Sequence, residues 1–375
     1  MKKSNCKSSL GEILRIFLRL GLTAFGGPAA HLGLMEREAV ERRGWMSRAQ
    51  FLDLVGACNL LPGPGSTQVA MALGYSRAGW MGLLIAGLCF ILPAALATLA
   101  LAWAYVRYGS LAQAQGVLDG AKPVMIAIIL QALWRLGGMA YRRWPLALAG
   151  LACFAASLAG ASPIAVLLAA GGVALLAALS RSRRGVSMGL AALPMGAGGA
   201  TVAAAGLGSL FLVFLKLGVV VFGSGYVLVA FLKADLVDRL HWITMPQLID
   251  AITAGQLTPG PVFATATFLG FLIHGFAGAA MATLAIFLPS FFMAGAVGAL
   301  ASRIRQSKLA AAFLDGVNAA AVALMAVVAL SLGRASLVDG WTAALALASL
   351  ALLLRFRINA TWLILGGAAI GIVLH

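Results

Sequence analysis

The sequence predicts an all-α polytopic membrane protein. Two homologous halves are expected to form an inverted repeat, with about ten transmembrane helices and two re-entrant broken-helix hairpins. Three observations predict it. Of the 375 residues, 62% are hydrophobic and 10% charged, where a soluble domain carries about 25% charged residues. That composition excludes a soluble enzyme, a disordered chain and a disulfide scaffold, and leaves lipid as the solvent. The second observation is an internal repeat: Phe17-Leu18-Arg19-Leu20-Gly21 returns as Phe214-Leu215-Lys216-Leu217-Gly218, 197 residues later. The third is a Pro-Gly-Pro sequence at 62–64 and again at 259–261, inside an apolar segment each time. Proline removes an amide donor and clashes with the preceding turn, so no straight helix passes.

The repeat sets the domain organisation. Phe25-Gly26 matches Phe222-Gly223, Trp45 matches Trp242 and Gln50 matches Gln247. After a one-residue slip, Leu92-Pro93 matches Leu288-Pro289, and Leu118-Asp119-Gly120 matches Leu314-Asp315-Gly316. The halves are 1–186 and 207–375, joined by a linker at 187–206. Eight of the 11 acidic residues fall in matched pairs: Glu38/Asp235, Glu41/Asp238, Asp53/Asp250 and Asp119/Asp315. Those positions have a role in both halves.

Each half reads as six apolar segments. They lie at about 10–34, 47–74, 78–106, 121–140, 145–160 and 163–180, then at about 208–232, 245–273, 275–301, 316–333, 340–354 and 359–375. The second segment of each half carries Pro-Gly-Pro near its middle. Two half-helices can there dip into the membrane and return on the same side, covered by protein or a water-filled cavity. Each half then crosses five times, and the odd number inverts the second half relative to the first. Loops 35–48, 74–78, 141–144, 181–186, 302–308 and 355–357, placed inside, hold 15 Lys and Arg against eight outside. This agrees with the positive-inside rule, although the Lys-rich N-terminus falls on the outer side. The net charge of +16 is therefore read as a topology signal, with no nucleic-acid partner. The four cysteines form no Cys-x-x-Cys pair, so neither a metal site nor a disulfide framework is expected.

Inverted repeats with discontinuous helices at matching positions point to a secondary transporter whose site lies at the repeat interface. Three features point to an anion as cargo. The half-helices after the turns begin with free amides and a positive dipole end, at Gly65-Ser66-Thr67-Gln68 and Val262-Phe263-Ala264-Thr265. Arg19 and Lys216 lie at matched positions inside apolar segments, where a cation is costly and marks function. Phe25-Gly26-Gly27-Pro28 and Phe222-Gly223-Ser224-Gly225 interrupt the first segment of each half, and glycine there admits close backbone approach to a ligand.

The candidate substrate-binding set is Arg19, Lys216, Gly26, Gly27, Pro62, Gly63, Pro64, Ser66, Thr67, Gln68, Ser224, Gln256, Pro259, Gly260, Pro261 and Thr265. Asp53 and Asp250 are candidates for ion coupling. The first turn carries three side chains able to donate to oxyanion oxygens, so it is expected to bind the anion more directly than the second. His31 and His274 read as interfacial. No catalytic constellation, metal spacing, cofactor motif or nucleotide-binding Gly-x-x-x-x-Gly-Lys occurs, so an enzyme is not expected.

Phe-x-x-Leu-Gly-x-x-x-Phe-Gly-Gly from Phe17 to Gly27, then Gly44-Trp45-Met46 and Leu61-Pro62-Gly63-Pro64, resemble the chromate ion transporter family. The resemblance covers nearly the whole chain and is to the long, two-domain members. It implies chromate export across the bacterial inner membrane by alternating access, giving chromate resistance, with sulfate as the related tetrahedral dianion. The second half departs at Gly223-Ser224-Gly225, where Gly-Gly-Pro is lost, so the halves are expected to contribute unequally. Sulfate or another small anion as cargo, and an anion channel, are the alternatives; a homodimer is an open option for assembly.

Overall fold

The computed structural model describes residues 9–25, 27–109, 111–141, 143–181, 206–222, 225–306, 308–356 and 358–374. Among them the regular structure is entirely helical. The linker at 187–206 lies outside the described residues apart from Gly206.

In the first half, α1 (Leu10–Thr23) and α2 (Gly27–Glu36) are separated at the Phe25-Gly26 interruption. α3 (Arg48–Asn59) and α4 (Gly65–Tyr108) flank the first Pro-Gly-Pro. α5 (Ala112–Ala140), α6 (Trp144–Leu158) and α7 (Pro163–Arg181) complete the half. The second half repeats the order: α8 (Leu207–Val220), α9 (Leu228–Leu232), α10 (Met245–Leu257), α11 (Thr265–Gln306), α12 (Lys308–Ser336), α13 (Gly340–Arg355) and α14 (Ala360–Leu374). The matched glutamines have a local cause. Ser47 with Gln50 and Thr244 with Gln247 form capping boxes that start α3 and α10, satisfying helix-end amides reciprocally.

The long helices α4 and α11 are each two helices. Non-helical backbone at Ala78–Gly79 and at His274–Gly275 breaks them, with Gly79 at φ +61° and Gly275 at φ +58°. Only glycine takes such a conformation cheaply. The chain doubles back there: Gly74 packs backbone-to-backbone on Gly82, and Gly270 on Gly278. The hydroxyls of Thr267 and Thr283 meet at 2.7 Å, although a straight helix would separate them by about 24 Å.

Among the described residues, five helical segments are long and apolar enough to cross a membrane: Gly65–Tyr108, Ala114–Ala140, Pro163–Ser180, Val262–Val297 and Leu309–Ser336. Shorter apolar helices stand at Trp144–Leu158, Leu207–Val220, Gly340–Arg355 and Ala360–Leu374. The outer surface is apolar. Leu96, Leu151, Phe292 and Trp362 are exposed, whereas Thr67, Gln68, Thr98, Thr265 and Ser290 are buried. That inversion of the soluble pattern suits lipid outside and polar groups within.

The halves interlock. α1 packs along α4, α8 along α11, and α4 and α11 pack on each other. Gly87 faces Phe291 while Gly295 faces Trp80, so these matched helices pass antiparallel. α5 of the first half holds α13 and α14 of the second, and α12 of the second holds α6 and α7 of the first. The α5–α14 seam is glycine on glycine: Gly116 meets Gly371, and Gly120 meets Gly367. Small residues four apart admit close backbone approach, which is the main source of helix association in lipid.

Two of the four acidic pairs, Glu38/Asp235 and Glu41/Asp238, sit on π-helical turns at Arg37–Arg42 and Lys233–Arg239. Glu38 binds Arg43 at 2.8 Å and Arg42 at 3.4 Å. Burial opposes its ionisation, but the two guanidiniums outweigh it and hold the carboxyl below its usual range. Asp235 is buried between Lys216 and Arg239, the latter at 3.0 Å.

Candidate functional site

The two Pro-Gly-Pro turns cross between the halves. The Gly63 N–H donates to the Val221 carbonyl at 2.6 Å, and the Gly260 N–H donates to the Ala24 carbonyl at 2.8 Å. Ala24 and Val221 are the residues that end α1 and α8. Each turn therefore closes on the carbonyl freed at the helix break of the opposite half. Glycine is required at both positions, with φ +108° at Gly63 and +95° at Gly260. A side chain at Gly63 would stand 2.8 Å from Gln68 Nε2 and 3.1 Å from Ser290 Oγ. At Gly260 it would stand 2.8 Å from the Ala94 methyl.

Ala94 and Ser290 are repeat counterparts, each following the matched proline of α4 or α11. The second half thus puts a hydroxyl beside the first turn, where the first half offers the second turn a methyl. Thr67 Oγ1, Ser290 Oγ and Gln256 Nε2 are buried and without a hydrogen-bond partner. A buried donor left unpaired costs about 1–3 kcal/mol.

The other predicted residues are distributed as follows. Ser66 is buried but engaged, its Oγ lying 3.2 Å from His31 Nδ1. Gln68 donates its amide to the Pro62 carbonyl at 2.5 Å and leaves its oxygen unpaired. As placed it is an acceptor, not the donor its residue type suggested. Pro64 is the N-cap of α4, and Pro261 precedes the short 3₁₀ turn Val262–Ala264 that leads into α11. Thr265 returns its hydroxyl to the Val262 carbonyl at 2.8 Å. Pro259 flanks Gly260, and Gly27, at φ +77°, starts α2. Gly26 and Ser224 lie outside the described residues.

Arg19 is on the exposed face of α1. Lys216 is paired with Asp235. Asp53 is exposed on α3, whereas its counterpart Asp250 is buried on α10 beside Lys122, at 3.4 Å, and Tyr105, whose hydroxyl donates at 3.0 Å.

One expectation is corrected. His31 is not interfacial: it is 1% exposed and bridges Ser66 and the Ala24 carbonyl, the latter at 3.1 Å. With Nε2–H donating to Ala24, Nδ1 accepts from Ser66, which fixes the neutral tautomer. Position in the segment suggested a membrane surface; the α1 break turns α2 inward instead. His274 is exposed at the hairpin of α11, as an interfacial group would be. Sequence reading also missed Ser290 and Tyr105. The repeat comparison contained the signal for Ser290, an Ala-to-Ser difference directly after a matched proline.

The family profile described as Chromate transporter matches residues 11–176 and 208–372, one region in each half. The chromate transport protein of Cupriavidus metallidurans is 34% identical over 375 residues, covering 98% of this chain and 94% of that protein. The chromate transport protein of Pseudomonas aeruginosa is 32% identical over 342 residues, covering 87% and 82%. An uncharacterized transporter of Methanocaldococcus jannaschii is 27% identical over 309 residues, covering 78% and 76%. No solved structure matches the chain. With both halves matched and relatives similar from end to end, this multi-pass membrane protein belongs to the chromate transporter family.

Proposed function

We propose that the protein exports chromate, a tetrahedral dianion, across the bacterial inner membrane by alternating access, and that it thereby confers chromate resistance. The observation that carries the reading is the crossed pair of Pro-Gly-Pro turns. They set the N-terminus of α4 and the unpaired Ser290 hydroxyl at the interface of the halves, with the unpaired Thr67 hydroxyl in the first turn of α4. Such donors replace part of an oxyanion's hydration shell without a metal or a fixed charge. The relatives named for chromate transport support chromate as the cargo.

The antiparallel passage of matched helices α4 and α11 supports an inverted repeat, with ten spans and two broken hairpins. A negative-inside potential drives anion exit by about 2.3 kcal/mol per charge per 100 mV, so a dianion leaves without nucleotide hydrolysis. Chromate uptake into everted vesicles, with sulfate as competitor and with or without a pH gradient, tests the reading. Potential-dependent chromate accumulation is expected. Vesicles that accumulate sulfate but exclude chromate would replace the cargo.

A further inference from the structure

The repeat allows each residue of one half to be compared with its counterpart in the other. The matched half-helices before the turns differ sharply. From Leu248 to Gln256 every residue of α10 is buried, and α10 packs on α5 and α14. On α3, Leu52, Asp53, Gly56 and Asn59 are exposed.

The exposed end of α3 borders a cavity of about 960 Å³ that runs between the halves. Asn59, Gln131, Arg135, Arg143, Asp315 and Asn318 supply its polar lining. It reaches Phe25 and Pro28 at the α1 break, and Arg143 and Asn359 also line it. Arg143 lies in loop 141–144 and Asn359 just after loop 355–357, two of the basic loops that the positive-inside rule assigns to the cytoplasm.

The repeat counterparts of Asn59, Asp315 and Asn318 are Gln256, Asp119 and Lys122. There an ion-pair cluster ties the helices together. Lys122 binds Asp119 at 3.0 Å and Asp250 at 3.4 Å, and the Tyr105 hydroxyl donates to Asp250 at 3.0 Å. α4, α5 and α10 are thus tied across the interface of the halves. Asn318 in place of Lys122 leaves the cavity side without a cation for the equivalent ion pair.

We infer that the oxyanion enters from one side through this cavity, and that the Lys122–Asp250–Tyr105 cluster is the shut gate of the opposite route. The inference rests on the transport reading above. Two cations, Arg135 and Arg143, raise the local anion concentration in the cavity, with the Asp315 carboxylate as the one opposing charge in the lining. On the closed side Asp250 occupies the ammonium of Lys122. Opening separates them and turns Lys122 from a clasp into a cation facing the exit path.

The test uses the full chain in membrane vesicles, with its four native cysteines replaced. Single cysteines are placed at the matched positions Asn59→Cys and Gln256→Cys, and reaction with a water-soluble thiosulfonate is timed. In the parent background Asn59→Cys should react fast and Gln256→Cys slowly. Adding Asp250→Asn or Lys122→Met should speed Gln256→Cys by about tenfold or more, as a two-state equilibrium shifts, and slow Asn59→Cys. The exchange Lys122→Asp with Asp250→Lys should restore slow reaction of Gln256→Cys, which separates gate loss from misfolding. Unchanged rates in both single variants, or an exchange that reacts as fast as Asp250→Asn, would overturn the gate. Labelling needs no substrate, so failure to move chromate would refute the cargo and leave this result standing.

Discussion

Removing the hydroxyls of Thr67 and Ser290 should move folding and affinity in opposite directions. Both are 0% exposed, and neither Oγ has a hydrogen-bond partner. In the unliganded protein each bears a desolvation cost of about 1–3 kcal/mol. Thr67→Val keeps the shape, and Ser290→Ala reproduces the residue at its repeat counterpart, Ala94. Folding should therefore be unchanged or slightly stabilised. A hydrogen bond to a charged acceptor contributes about 1.5–3 kcal/mol, which corresponds to a loss of about 10- to 100-fold in affinity per donor. The half-saturating chromate concentration in everted vesicles gives the affinity, and thermal unfolding in detergent gives the stability. An unchanged half-saturation in the double variant, with transport intact, would refute direct ligation and leave the turns as hinges. Lower thermal stability at constant affinity would make the hydroxyls structural.

Other consequences follow from the same geometry. Gly260→Ala must adopt a backbone of φ +95° and meet the Ala94 methyl; it should cost about 1–3 kcal/mol, and Ala94→Gly should recover only the steric part in a thermal-unfolding cycle. Gly120→Val should lower the unfolding midpoint by overpacking against Gly367, whereas Gly366→Val, which meets open space, should not; equal effects would remove the glycine seam as a cause of assembly. Lys216→Gln leaves Asp235 with Arg239 alone; because Lys216 is 36% exposed, the loss should be about 1 kcal/mol or less, smaller than for Asp235→Asn, which loses both pairs, and not additive with it. Glu38, held below its usual range by Arg43 and Arg42, stabilises the native state above the ordinary carboxylate pKa. That advantage disappears as pH falls through its own lower value, so wild type and Glu38→Gln should converge in stability on acidification.

Much of the architecture was legible because lipid imposes period and length on a sequence. Breaks in the apolar pattern at 25–28, 62–64 and 74–78 correspond to the ends of α1, α3 and the first part of α4. Proline and glycine act on the nearest turn, so their effects are local and can be read without neighbours. The match of Gln50 with Gln247 was legible in the repeat; that both close capping boxes came from the structure.

The site was legible only as far as the turns. Ser66, Thr67 and Gln68 are adjacent polar residues in sequence, yet one is taken by His31, one is unpaired, and one is turned to the Pro62 carbonyl. Ser66 is engaged by a partner 35 residues before it, and no local pattern carries that information.

The sequence by itself determined a helical membrane protein of two related halves, and where each helix breaks. Only the tertiary structure decided that each turn closes on the opposite half, that Ser290 stands beside the first, and that Asp250 is buried while Asp53 is exposed. Helix formation and breaking are fixed by neighbours in the chain. Burial, pairing and access are fixed by which half packs against which, and two similar halves cannot occupy identical surroundings once Lys122 and Asn318 differ.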